Sequence, residues 1–89
     1  MSQLTTILKT KRSTLEPCEF DMHLIFSSGT LCIIPDIGEN LFFQYQGQSM
    51  FLAVRNRLFE IIPHEGELIY EITLVGSYYM NAAGIFSEV

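Results

Sequence analysis

Residues 49–62, SMFLAVRNRLFEII, decide the fold. At 100° per residue, Met50, Phe51, Leu52, Val54, Leu58, Phe59, Ile61 and Ile62 share one broad arc. Ala53, Asn56, Arg57 and Glu60 take the opposite side, and only Arg55 intrudes on the apolar arc. Ser49 can cap the N-terminus and Pro63 stops the run. The spacing predicts an amphipathic helix over 49–62. The rival is a pair of strands, 50–54 and 57–62, turning at Arg55-Asn56. That dipeptide is a poor tight turn beside Asn-Gly, and the helix is the reading carried forward.

Outward from this stretch the pattern changes to a period of two. Residues 19–27 place Phe20, Met22, Leu24 and Phe26 on one face, with Glu19, Asp21, His23 and Ile25 on the other. Ser28-Gly29 is a candidate hairpin turn, and residues 30–34 read as its second strand before Pro35. In that register Ile25 faces Cys32 and His23 faces Ile34. Cys18 then lies roughly 24 Å from Cys32 at strand rise, too far for a disulfide. Residues 41–46 read as a third strand ending at Gly47, with Leu41, Phe43 and Tyr45 opposite Phe42.

His64-Glu65-Gly66-Glu67 reads as a loop and residues 68–75 as a strand that Gly76-Ser77 breaks. Residues 78–80 and 85–86 suggest a closing hairpin around Asn81-Ala82-Ala83-Gly84. The expected fold class is therefore α+β. A small antiparallel sheet of about four to five strands carries the 49–62 helix on one face.

The chain has 89 residues and a net charge of -5, enough for one core and no second. Lys9, Lys11 and Arg12 supply three of its five cations. Residues 1–14 are thus expected as a flexible basic arm, ahead of a single domain over 15–89 that is more acidic than the whole. No uncharged stretch reaches the roughly 20 apolar residues of a spanning helix, and no secretory signal is visible. The expectation is a cytoplasmic chain that does not enter a membrane, with free thiols at Cys18 and Cys32.

The search for chemistry gives little. Neither of the common Cys/His metal spacings occurs, and the glycines are dispersed rather than gathered in a phosphate-cradling loop. Cys32 beside Ile25 reads as a small buried hydrophobe, and Cys18 lacks an obvious base. Glu19/Asp21 and Glu65/Glu67 read as solubilising pairs. These residues predict no catalytic, cofactor or metal site, and an enzyme built on a Cys/His site stands only as an alternative.

A second alternative is a single-stranded nucleic-acid platform. It would use Phe42, Phe43, Tyr45, Tyr78 and Tyr79, with Lys9, Lys11, Arg12, Arg55 and Arg57 beside them. The net negative charge weighs against it. The leading expectation is a small acidic protein-interaction module, whether homodimer, small subunit or inhibitor of immunity type. Its 48% apolar content exceeds what one core and one helix can hide. The expected interface residues are Ile25, Cys32, Ile34, Phe42, Tyr78 and Tyr79, and the partner is another protein or a second copy.

Overall fold

The computed structural model describes residues 4–26 and 34–89. Strands take up 71% of it, none of it is helix, and the strands form a curled mixed half-barrel. The α+β expectation is therefore wrong, and the chain is all-β. The six strands are β1 (Leu4–Arg12), β2 (His23–Phe26), β3 (Asn40–Tyr45), β4 (Gln48–His64), β5 (Glu67–Ala82) and β6 (Ile85–Glu88). The path across the sheet is β2-β1-β5-β4-β3, and β6 pairs with the end of β5.

The stretch read as a helix is the heart of β4. It pairs with β3 over Gln48–Ala53 and with β5 from Met50 to His64, with one bulge at Arg55. Met50, Leu52 and Val54 are buried, while Ser49, Phe51 and Ala53 face outward and are half-buried. A continuous apolar run satisfies the helical and the strand period alike. Here it is apolar because both faces of the strand carry side chains that pack. Asn56 opposes Val75 and leaves Arg55 unpaired, so the turn of the rival two-strand reading is instead a kink within one strand.

Three two-residue turns join β3, β4, β5 and β6 into a meander. They are Gln46-Gly47 (φ 49° and 80°), Glu65-Gly66 (49° and 79°) and Ala83-Gly84 (55° and 85°). Positive φ at both central positions matches the twist of a tight hairpin. The expected loop at 64–67 is thus a two-residue turn, and the expected closing hairpin is present as β5–β6. The expected break at Gly76 is absent, because β5 runs straight through it.

The basic N-terminal stretch is no arm. Leu4–Arg12 is β1, parallel to β5 on one edge and antiparallel to β2 on the other. β6 continues the edge of β5 beyond the point where β1 leaves it. The alternating strand expected over 19–27 is shorter, because Glu19 to Met22 belong to the β1–β2 connection and pairing begins at His23. The turn at Ser28-Gly29, the strand over 30–33 and Cys32 fall outside the described residues.

Directly paired residues share a face, so the register separates an inner from an outer surface. Leu8, Thr10, Met50, Leu52, Val54, Ile72, Leu74 and Tyr78 line the inner one, and Phe20 closes over it. No described helix is long and apolar enough to cross a membrane.

Candidate functional site

The register places Phe42 beside Phe51 and Phe51 beside Tyr79, one residue on each of three neighbouring strands. All three point to the outer face. Phe86, on β6 opposite Asn81, joins them diagonally. Ring centroids lie 5.2 Å apart for Phe42–Phe51, 4.8 Å for Phe51–Tyr79 and 5.0 Å for Phe51–Phe86. The four rings form a continuous ridge across β3, β4, β5 and β6. Phe42 is 64% exposed and Phe86 38% exposed; Phe51 and Tyr79 are half-buried between them.

The rings cover one another rather than lying flat. Phe51 and Tyr79 stack with an interplanar angle of 13°, and Phe42 and Phe86 lean on Phe51 at 49° and 54°. Only Phe51 and Tyr79 stack face to face, and Phe42 and Phe86 present exposed ring surface beside them as an apolar crest. Its surroundings are mostly neutral: Gln44, Ser49, Ser77 and Asn81 flank it, with Arg55 and Glu88 at its margins. Arg55 Nε–H donates to Ser77 Oγ at 3.3 Å.

The six residues expected at an interface separate on this surface. Phe42 and Tyr79 are brought together in the ridge. Ile25 is 66% exposed on the outer face of β2, opposite Ile7. Its strand pairs with the far end of β1, roughly 27 Å along β5 from Tyr79. Ile34 packs against the core instead, and Cys32 lies outside the described residues. Tyr78 is a core residue, 1% exposed, because strand alternation turns it away from its neighbour Tyr79. Phe51 and Phe86 were missed. The helix reading places Phe51 on its apolar arc, and in sequence Phe86 belongs only to a two-residue edge fragment, whereas in the fold β6 aligns it with β5.

A second cluster sits at the inner mouth, where the β1–β2 connection meets the sheet. Met22 N–H donates to Thr10 Oγ1 at 2.8 Å, Thr10 Oγ1 and Tyr78 Oη are 2.6 Å apart, and Tyr78 donates to Asp21 Oδ1 at 2.9 Å. Asp21 also accepts from Cys18 N–H at 3.0 Å and from the Cys18 thiol at 3.2 Å. Desolvation is the main cause that raises the Tyr78 hydroxyl well above its ordinary pKa, with the Asp21 carboxylate adding to it. The Arg12 guanidinium is pushed up by Cys18 beside it.

Thr10, Tyr78, Asp21 and Cys18 are bonded to one another or to the Met22 amide, so the cluster fastens the connection to the sheet. Neither histidine is among the partners of Cys18. His23 pairs with Lys9 in register, and His64 sits at the β4–β5 tip, 3.9 Å from Glu65. Among the described residues, no three His, Cys, Asp or Glu side chains are grouped so as to hold a metal ion.

The cations are dispersed. Lys9 Nζ lies 3.0 Å from Glu71, Arg57 lies 3.2 Å from Asp36 and over the ring of Phe59, and Arg12 faces the Cys18–Asp21 cluster. Compared with known proteins, the chain matches no family model, no curated protein and no solved structure.

Proposed function

We propose that the chain is a non-enzymatic protein-interaction module that works through its outer aromatic ridge. The observation that carries this reading is the placement of four aromatic rings, from four strands, on the side of the sheet away from the core. Aromatic crests with neutral polar surroundings suit protein interfaces, where aromatics are enriched and charged residues depleted at the centre. The single-stranded nucleic-acid reading has less support. Three of the five aromatics it needs, Phe43, Tyr45 and Tyr78, lie on the inner face, and of its five cations only Arg55 sits beside the ridge of an acidic chain.

The test is the size of the complex containing the tagged chain in extracts of its native cell. The wild-type chain is expected in an assembly larger than its own 10.2 kDa, unchanged by nuclease. The double variant Phe42→Ser/Phe86→Ser is expected to run free while the purified variant unfolds at a nearly unchanged temperature. A free wild-type chain, a nuclease-sensitive assembly, or an assembly that survives both substitutions overturns the proposal.

A further inference from the structure

The ridge runs out to an edge of the sheet at β3, and that edge differs from the exposed edges of β4 and β6. Exposed edges are ordinarily blunted by charge, proline or a bulge. The part of β4 beyond β3 carries all three, with the bulge at Arg55, then Arg57, Glu60 and Pro63. β6 is four residues long and carries Glu88. Strand β3, Asn-Leu-Phe-Phe-Gln-Tyr, has no charge, no proline and no bulge. On a chain of net charge -5 its six residues carry no charge of their own, and the nearest acids, Glu39 before it and Glu19 at the Tyr45 hydroxyl, lie at its ends.

The hydrogen-bonding parity of β3 is readable. In a hairpin closed by two residues, the pair next to the turn, Tyr45 and Gln48, is a bonded pair, and bonded pairs recur every second residue. Phe43 and Leu41 therefore aim their amides and carbonyls at β4, and the Glu39 carbonyl does the same, accepting from Val54 N–H at 2.9 Å, while the Glu39 amide donates to Asp36 O. Asn40, Phe42 and Gln44 aim theirs away from the sheet. Among the described residues they have no strand partner on that side.

We propose that this edge pairs with the same edge of a second copy, antiparallel about a two-fold axis at Phe42; this rests on the ridge being an interaction surface. Only an even register sum keeps the inner and outer faces of the two sheets aligned. With Phe42 opposite its own copy, Asn40 meets Gln44 and Leu41 meets Phe43. Amide then faces amide and hydrocarbon faces hydrocarbon. The three outward-aimed residues on each chain all fall in bonded positions, giving about six backbone hydrogen bonds. The next even register, centred on Phe43, sets Phe42 against Gln44 and leaves Asn40 opposite the turn. In the favoured register the ridge continues without a gap from Tyr79, Phe51 and Phe42 of one copy into the other. The half-barrels become one extended sheet.

The experiment uses the purified full chain. Light scattering should give twice 10.2 kDa at about 100 µM. Phe42→Pro should give the monomer with the far-ultraviolet dichroism retained, because the amide it removes points away from β4. Phe42→Asp, at an exposed position, should give the same result by like charge. In a background with Cys18→Ser and Cys32→Ser, Phe42→Cys should link two copies under mild oxidation. Bonded-pair Cα atoms lie about 5.5 Å apart, within disulfide reach. Gln44→Cys should not link, since its copies lie about 13 Å apart along the strands.

A monomeric wild type, a folded Phe42→Pro that stays dimeric, or Gln44→Cys that links as readily as Phe42→Cys overturns the pairing. If the purified chain is monomeric while its cellular complex still depends on Phe42 and Phe86, only the self-pairing fails. If no ridge-dependent complex exists either, the interaction reading fails with it.

Discussion

Among the described glycines, Gly76 alone has no room for a side chain. It lies on β5 between Arg12 and Val54, where the β4 bulge brings the backbone close, and a Cβ there would collide with the Ala53 carbonyl oxygen. Read in sequence, Gly76 signals a break; in the fold it permits a close crossing in an unbroken strand. Gly76→Ala should therefore cost about 1–3 kcal/mol or more in urea unfolding, and a cost near zero would mean that the bulge can move aside. Tyr78 was legible as an aromatic but not as a core residue. The sequence shows Tyr78 and Tyr79 as a pair, and only the register of β5 divides them between the two faces.

Because its folded hydroxyl holds its proton above the ordinary tyrosine pKa, Tyr78 contributes stability that is whole below about pH 10. That contribution is lost as pH rises through the raised folded value. Urea midpoints measured across the alkaline range should fall for the wild type and fall less for Tyr78→Phe. Equal slopes would remove the Thr10–Tyr78–Asp21 chain from the account of stability.

At the scale of elements, β4 shows why the helix was convincing and wrong. Its apolar residues lie on both faces, Met50, Leu52 and Val54 inward and Phe51 outward, and side chains on two faces of a strand mimic one wide helical arc. The turns were more legible. Gly47, Gly66 and Gly84 each marked a real reversal, although Gln, Glu and Ala before them are not the residues that announce such turns. The parallel pairing of β1 with β5 joins segments more than sixty residues apart, and no local pattern encodes it. A helix would make Leu52 and Leu58 equivalent core residues. In the strand Leu52 is fully buried and Leu58 is 52% exposed. Leu52→Ala should cost about 2–5 kcal/mol and Leu58→Ala well under half of that. Similar losses at both sites would restore the helix.

At the scale of the molecule, the sheet extends over 50 × 24 × 22 Å, and its inner face is buried at Met50, Leu52, Val54, Ile72 and Leu74 but open toward the β4–β5 tip at Phe59, Ile61 and Leu68. The excess of apolar residues was visible in composition, and two residues of the ridge, Phe42 and Tyr79, were named from sequence. Their assembly with Phe51 and Phe86 depends on four strands lying side by side, which composition does not encode. Apolar exposure by itself is common on small proteins. The proposed module concentrates contact at the ridge and not at other exposed hydrophobes of the same outer face.

Photocrosslinking tests this claim most directly. A benzophenone amino acid is placed at position 42 or at position 58 of the full chain in its native cell. The account predicts protein adducts from position 42 and few from position 58. Equal adducts at both positions, or adducts to nucleic acid from position 42, would contradict it.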